Sequence, residues 1–396
     1  MLERPDTIDD YVIDIIDSPA KVDPSAWAAL LAVQGCGTPF LKLEYLRALH
    51  DSGSAVAQTG WLPQWVLLRS SDGQLEAAAL LYLKSHSYGE YVFDWAWADA
   101  YRRHGLRYYP KLLSAVPFTP CTGPRLLART TKARQALLQL LPQLASRNGL
   151  SSLHLLFVSE AEHAHLQDAA SMGWMMRTQV QFHWLCDTAH AGEDFDHFLS
   201  RLQRHKRKNI VQERRRVRDA GVTFTVHEGS QIGSADWDHF YLCHQATYAA
   251  RGSKPYLTRE FFDRMAQQMP EHWLMFVGWQ QGQRVAASLV AIDRPTRCAW
   301  GRYWGSLRPL DAVHFEACYY QPLAWCLAQG FVRFEGGAQG EHKMARGLMP
   351  QTTYSAHWLS NPQFAQAVDR FLSEETLAID EYQQSLQARS PFRQDR

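Results

Sequence analysis

Glu341, His342 and Lys343 stand side by side in the run FVRFEGGAQGEHKMARGLMPQTTYSAHW, residues 331–358. An acid, an imidazole and an ammonium set among glycines can move a proton and hold an anion. The glycines at 336, 337, 340 and 347 let backbone approach a ligand closely and expose N–H groups. Arg346, Tyr354 and His357 follow in the same run. It opens on a short strand, Val332 to Glu335, so the polar residues fall on a loop behind a buried strand, where function tends to sit. The bland alternative is a glycine-punctuated turn with solvated charges, and this run alone does not separate the two.

Other residues compete for a role. In CAWGRYWGS, alternation along a strand puts Arg302 and Trp304 on one face and Tyr303 on the other. By strand geometry alone, the three do not line one pocket. His314 and Glu316 open a helix, where Glu316 meets the helix dipole favourably, so capping is the stronger reading there. No PCxxC follows this His-x-Glu pair, so it is not a deaminase-type zinc motif, and no metal is expected. Asp94 lies between Phe93 and Trp95. A carboxylate among aromatics can be shifted in pKa, or can be a surface acid or a helix cap. The basic loop RGSKPY, residues 251–256, can contact phosphate or be a surface turn.

The charge is unevenly spread. Residues 201–219 hold nine Lys/Arg against two acids, while the whole chain carries +1, so the remainder is about −6. Phe195, Phe198, Leu199 and Leu202 form an apolar face that docks the start of this segment, while Ile210 and Val217 are sparse anchors beyond it. Arg204, Lys206, Arg207, Lys208, Arg214, Arg215 and Arg216 then read as a solvated connecting helix. The other reading is an electrostatic seat for a polyanion: RNA, a nucleotide diphosphate or an anionic lipid surface.

These residues need a scaffold of about two domains, as 396 residues imply. At 46% hydrophobic and 20% charged, the chain is of ordinary globular composition. The acidic start, MLERPDTIDDYVIDI, is no signal peptide, and no apolar run of about 18 residues exists, so a cytoplasmic location is expected. The seven cysteines contain no CxxC pair and make neither a disulfide framework nor a zinc site. Most are expected as small buried hydrophobes.

Periodicity predicts a helix within residues 38–53, a hairpin from WVLLRS through Ser71–Gly73 to LEAAALLYLKS, and a helix over about 131–148. SSLHLLFVS and TQVQFHWLC follow as strands. The second half repeats this order: helices over about 237–251 and 258–268, strands WLMFVGWQ, RVAASLVAI and CAWGRYWGS, a helix over about 314–330 despite Pro322, then strands VRFEGG and HWL. The repeat is one of architecture and not of residue identity. Mixed α/β sheets with helices on both faces are the expected packing.

TPFLKLEYLRALHDSG (38–53), residues 88–127, RHKRKNIVQERRRV (204–217), CHQATYAARGSKPYLTREFF (243–262), GRYWG (301–305), HFEACYYQP (314–322) and residues 333–358 together resemble the FemAB-like branch of the GNAT-type acyltransferases. The matching stretches span nearly the whole chain. The resemblance implies two tandem GNAT-like domains, expected at 1–190 and 226–396 with the basic helix 191–225 between them. Better-known relatives move an aminoacyl group from aminoacyl-tRNA onto an amine of a peptidoglycan precursor. Two departures stand out: no helical-hairpin arm is visible, and R/Q-x-x-G-x-G/A is absent, with RHGLRYYP (103–110) and QGEHKMARG (339–347) only loose fragments of it. Tyr108, Tyr109 and Lys111 precede a Pro-rich segment resembling the substrate-contacting YxPRGP region.

The function expected from this resemblance is N-acyl transfer to a small peptide or amine acceptor. Aminoacyl-tRNA or acyl-CoA would be the co-substrate, with no tightly bound cofactor. An acetyl-CoA-dependent acetyltransferase and a non-catalytic module recognising a cell-wall peptide or polyanion are the alternatives. Such chemistry needs a positioned amine, donors for the oxyanion and a proton for the leaving group. Glu341 or His342 is the candidate base, and Tyr303 or Tyr354 the acid or hydrogen-bond donor. Arg302, Trp304, Lys343, Arg346, Lys111, Tyr109 and Asp94 are the candidate substrate-binding residues. The basic helix would contact tRNA or a peripheral membrane surface. The sequence assigns no oligomeric state.

Overall fold

The computed structural model describes residues 2–35, 37–186, 192–338 and 340–393. Cys36, Gln339 and the boundary expected at residue 190 lie outside the described residues. The chain forms two compact units that do not follow its linear order. The first comprises Met1–Gln179 and Thr352–Glu381, the second Val180–Gln351 and Tyr382–Arg396. A linear division misses the return of residues 352–381 to the first unit, and the basic helix belongs to the second.

In the first unit, an antiparallel sheet orders Thr7–Ile8, Tyr11–Ile16, Trp65–Arg69, Leu75–Ala79 and Leu126–Ala128. The hairpin expected around Ser71–Gly73 is its third and fourth strands. A second set orders Trp61–Pro63, Leu81–Lys84, Lys111–Ser114, Ser152–Val158 and residues 354–359. Lys111–Ser114 and Ser152–Val158 run parallel there. Helix Thr131–Arg147 buries Ala133, Ala136, Leu137, Leu140, Leu141 and Leu144, spaced to form one apolar face. Thr130 caps it, its hydroxyl accepting from Ala133 N at 3.1 Å, which contributes ~1 kcal/mol.

In the second unit, Val222–Glu228, Trp273–Gln280, Gln283–Asp293 and Cys298–Ser306 pair antiparallel in that order. Arg333–Glu335 then joins parallel to Cys298–Ser306, and His183–Leu185 pairs antiparallel with it. Helix Ser234–Ala249 lies against Cys298–Ser306. The Thr247 hydroxyl donates to Trp304 O at 2.9 Å, and a side chain at Gly305 would bring its Cβ within 1.9 Å of Cys243 O. Only glycine permits that approach.

Three elements differ from expectation. The basic segment is two helices, Phe195–Arg201 and Arg204–Asp219, because extended Leu202 and Gln203 separate them. The predicted helix over 314–330 is Val313–Phe315, a π-helical turn Glu316–Tyr320 and helix Gln321–Ala328. The C-terminal helix Pro362–Ala388 was not expected. No helix among the described residues is long and apolar enough to cross a membrane.

Candidate functional site

The pocket in the second unit opens where two parallel strands part. Cys298, Ala299 and Trp300 pair with Arg333, Phe334 and Glu335. The shorter strand ends there, while Cys298–Ser306 runs on. Gly301, Arg302, Tyr303 and Trp304 from the longer strand line the resulting pocket of about 110 Å³, with Gly336 just past the shorter one. A β-bulge decides which side chains face it. Leu289 pairs with Tyr303 and Val290 with Gly301, leaving Arg302 as the extra residue. A bulge re-aims side chains by breaking the two-residue alternation. The bulge lets Arg302 and Tyr303 meet, the guanidinium donating to the Tyr303 hydroxyl at 3.0 Å. The Tyr303 ring packs on His244 at 5.1 Å while Trp304 faces His314, and all three residues border the pocket.

The opposite wall is the π-helical turn. Pro322 lacks an N–H and its ring crowds the carbonyl four residues before it, that of Cys318. The widened turn Glu316–Tyr320 lies just before that proline, and it brings Cys318 and Tyr319 to the pocket wall, beside His314. The His314 ring lies tilted against Trp304, 4.5 Å from ring centre to ring centre. Ala312 occupies the N-cap position of the short helix, so His314 is a pocket residue and not a cap. Glu316 is buried and accepts from Arg214 at 3.2 Å and Gln321 at 2.7 Å.

Burial, followed by the charges of His342, Arg346, Lys343 and Arg251, lowers His314 to about 4. Its imidazole is neutral at pH 7 and can accept a proton. Burial pushes the Tyr319 phenol up, so it stays protonated and can donate. The Tyr319 hydroxyl and His342 Nε2 are 3.2 Å apart. Burial, then Arg346 and Lys343, also lowers His342. Burial raises the Cys318 thiol, which keeps it out of its reactive thiolate form.

The 3₁₀ turn Glu341–Arg346 distributes the expected site residues differently. His342 reaches Tyr319. Glu341 instead accepts from the Tyr382 hydroxyl at 2.7 Å and from Arg389 at 3.3 Å, so it ties the turn to the C-terminal helix. Lys343 is buried and donates to the carbonyls of Gly337 and Ala338 at 2.9 and 3.1 Å, fixing the glycine loop. Burial lowers its ammonium to about 8. Arg346 donates to Glu213 at 2.8 Å and covers the Phe315 ring at 3.5 Å. Within this turn, His342 reaches the pocket-lining Tyr319, and the Lys343 stem packs beside the pocket-lining Gly336.

The basic helix Arg204–Asp219 has two faces. Glu213 binds Arg346 and the Tyr320 hydroxyl, and Arg214 binds Glu316, so both are engaged in holding the π turn. Arg204, Lys208, Arg215 and Arg216 are exposed, and Lys206 and Arg207 half-buried. Arg215 and Arg216 meet Asp219 and Asp311 at 3.8 and 3.2 Å, surface pairs worth about 0–1 kcal/mol.

Lys111, Asp94 and Tyr109 belong to the first unit. Lys111 Nζ donates to Ser87 Oγ at 2.8 Å, to Glu90 Oε2 at 2.7 Å and to Asp94 Oδ2. Ser87 also meets the Tyr109 hydroxyl at 2.7 Å. The Tyr108 hydroxyl donates to Asp94 at 2.6 Å and lies 3.2 Å from His154 Nε2. His154 and His357 Nδ1 are 2.8 Å apart. Lys84 lies 3.9 Å from Glu90 and 3.6 Å above the centre of the Trp61 ring. All four charged side chains are sealed from water. Burial would raise Asp94, but Lys111 outweighs it and holds Asp94 at about 2. Burial would lower Lys111, but Glu90 and Asp94 outweigh it and raise it. Burial dominates at the other pair, drawing Lys84 down and Glu90 up, each to about 7. Tyr354 is also in the first unit, stacked at 3.8 Å on His163.

Reasoning from sequence missed His314, Cys318 and Tyr319 as pocket residues. Pro322 inside a predicted helix was the available signal. It also missed Lys84 and Glu90.

The FemAB-like family, described as peptidoglycan biosynthesis/recognition, matches residues 18–394. No curated protein matches the sequence. The fold is similar to L-PGS from Bacillus licheniformis (13% identity, 91% of this chain and 99% of that one, TM-score 0.54). It is similar as well to the C-terminal domain of a putative lysylphosphatidylglycerol synthetase from Agrobacterium fabrum (12% identity, 90% and 97%, TM-score 0.51). A conserved protein of unknown function from Bacteroides thetaiotaomicron has the same fold (10% identity, 88% and 100%, TM-score 0.51).

Proposed function

Because the chain belongs to the FemAB-like family and forms two compact α/β units, we propose that both units are GNAT-like and that the protein is an N-acyltransferase whose transfer site is the strand-splay pocket of the second unit. The observation that carries this reading is the pocket wall. There a neutral imidazole, His314, stands beside a protonated phenol, Tyr319, at the point where two parallel strands part. The pocket takes the activated carbonyl of the donor. His314 accepts the proton that the attacking amine must lose, directly or through one water, a task worth roughly 10²–10⁴-fold in rate. The Tyr319 hydroxyl, oriented by His342, donates to the developing oxyanion or to the leaving atom. Arg302 holds the donor's anionic part. The acceptor is an amine of a peptidoglycan precursor or a related peptide, in keeping with the family description.

An aminoacyl-tRNA donor would rest on Arg204, Lys208, Arg215 and Arg216, whose exposure supports that reading. Its use would fall steeply with salt as phosphate contacts are screened. The test is mass-spectrometric detection of a new amide on a lysine-bearing peptide, supplied in parallel with aminoacyl-tRNA and with acyl-CoA. Amide formed from either donor supports the reading and names the donor. Binding of the peptide with no amide from either donor contradicts it.

A further inference from the structure

The loop from Lys84 to Trp95 in the first unit has inner and outer faces of opposite character. Inward, Ser87, Glu90 and Asp94 all bind the buried Lys111. Lys84 donates to the carbonyl of Tyr88 at 3.3 Å, and Arg177 to that of Phe93 at 2.7 Å. Arg177 is itself held by both carboxylate oxygens of Glu375. Outward, Tyr88 is 57% exposed, Phe93 48% and Trp95 41%, and the rings of Tyr88 and Trp95 are 5.1 Å apart. Buried cations thus fix the backbone of a loop whose large aromatic rings face water.

Helix Trp95–Arg103 continues this face. Trp95, Asp99 and Arg102 share one side by helical spacing. Exposed Arg103, His104, Leu106 and Arg107 follow. Asp99 meets Arg102 and Arg103 at 2.5 and 2.6 Å, so one acid is shared by two of three exposed arginines. Exposed aromatic rings in contact, as Tyr88 and Trp95 are, with a third, Phe93, exposed on the same loop, mark an interaction surface, and a pre-fixed loop loses little conformational freedom on docking.

We propose that this face docks on an anionic lipid surface. Tyr88, Phe93 and Trp95 enter the boundary between headgroups and acyl chains, with Arg102, Arg103 and Arg107 on lipid phosphates. Stacking on sugar rings is the other use of exposed aromatics. It fits less well, because the exposed charged residues that follow the rings in sequence are chiefly arginines, Arg102, Arg103 and Arg107.

The test is co-sedimentation of the full chain with vesicles of phosphatidylglycerol and phosphatidylcholine, against vesicles of phosphatidylcholine alone. The expected result is binding that requires phosphatidylglycerol and weakens with salt. The triple variant Tyr88→Ser, Phe93→Ser, Trp95→Ser should lose at least tenfold in vesicle affinity with an unchanged thermal midpoint. Arg102→Gln, Arg103→Gln, Arg107→Gln together should lose as much at low salt. Should the aromatic triple variant unfold early, Tyr88→Ser and Phe93→Ser separately decide, each with a loss of about threefold. Three outcomes overturn the proposal: no sedimentation of the native chain with anionic vesicles, capture of a soluble glycan in its place, or native affinity in the aromatic variants.

Discussion

Lys111→Met lowers the unfolding free energy by about 3–5 kcal/mol, the usual cost of removing one member of a buried ion pair. Its ammonium is fully enclosed and binds Ser87, Glu90 and Asp94 at once. Methionine fills similar volume, so the loss is electrostatic: Asp94 and Glu90 stay buried with their main cation gone. Solvated pairs such as Arg215–Asp219 contribute about 0–1 kcal/mol, and Arg215→Gln should shift stability no further than that. Asp94 adds a pH signature. Its folded value, about 2, lies below its ordinary 3.8, so its stabilisation is present above about pH 4 and is lost as pH falls toward 2. Urea unfolding of Lys111→Met should show a lower midpoint and a flatter dependence between those pH values. A loss below about 1 kcal/mol would mean that the cluster is hydrated and the burial argument wrong.

His314→Asn lowers kcat/KM by roughly 10²–10⁴-fold, the contribution of a positioned general base. Asparagine keeps a polar side chain of similar size against Trp304 but cannot take the proton. His314 is held at about 4, so it is unprotonated at neutral pH, and its own contribution to native kcat/KM should be lost only as pH falls toward that value, in a limb separate from that of the acceptor amine. In His314→Asn this acid limb should vanish along with most of the rate. Glu341→Gln, by contrast, changes a contact to Tyr382 and Arg389 and should keep the rate within a few fold. A larger loss in Glu341→Gln than in His314→Asn would return the base to the glycine loop.

The elements were more legible than the site. Alternation and turn residues located the hairpin at Ser71–Gly73, and apolar spacing located helix Thr131–Arg147. The run behind strand Arg333–Glu335 did border a pocket, through Gly336 and through His342 on Tyr319. The tie of Glu341 to Tyr382 and Arg389 leaves no mark in the sequence, because these partners lie 41 and 48 residues further on, in and just past the helix Pro362–Ala388. The bulge at Arg302 was invisible, since one extra residue between strands leaves no trace in a periodicity. Pro322 is a legible signal of a break in the helix, since it removes an N–H and crowds the preceding turn. The burial of Lys84 and Lys111 is hidden for another reason: lysines are almost never fully buried unless paired, and their acids, Glu90 and Asp94, become partners only on folding. The return of residues 352–381 to the first unit leaves no mark in linear order either, so Tyr354 was grouped with residues of the other unit.

Protection of the Cys318 thiol tests the location of the transfer site most directly. Cys318 lines the pocket beside Tyr319, and its raised value calls for slow alkylation at alkaline pH. Cys298, half-buried in the same unit and not among the pocket-lining residues, is the internal control. With a saturating, non-hydrolysable analogue of the donor that supports amide formation, mass spectrometry should show Cys318 alkylated at least tenfold more slowly and Cys298 at its original rate. Unchanged alkylation of Cys318 under saturation would place the donor outside the strand-splay pocket and contradict the account.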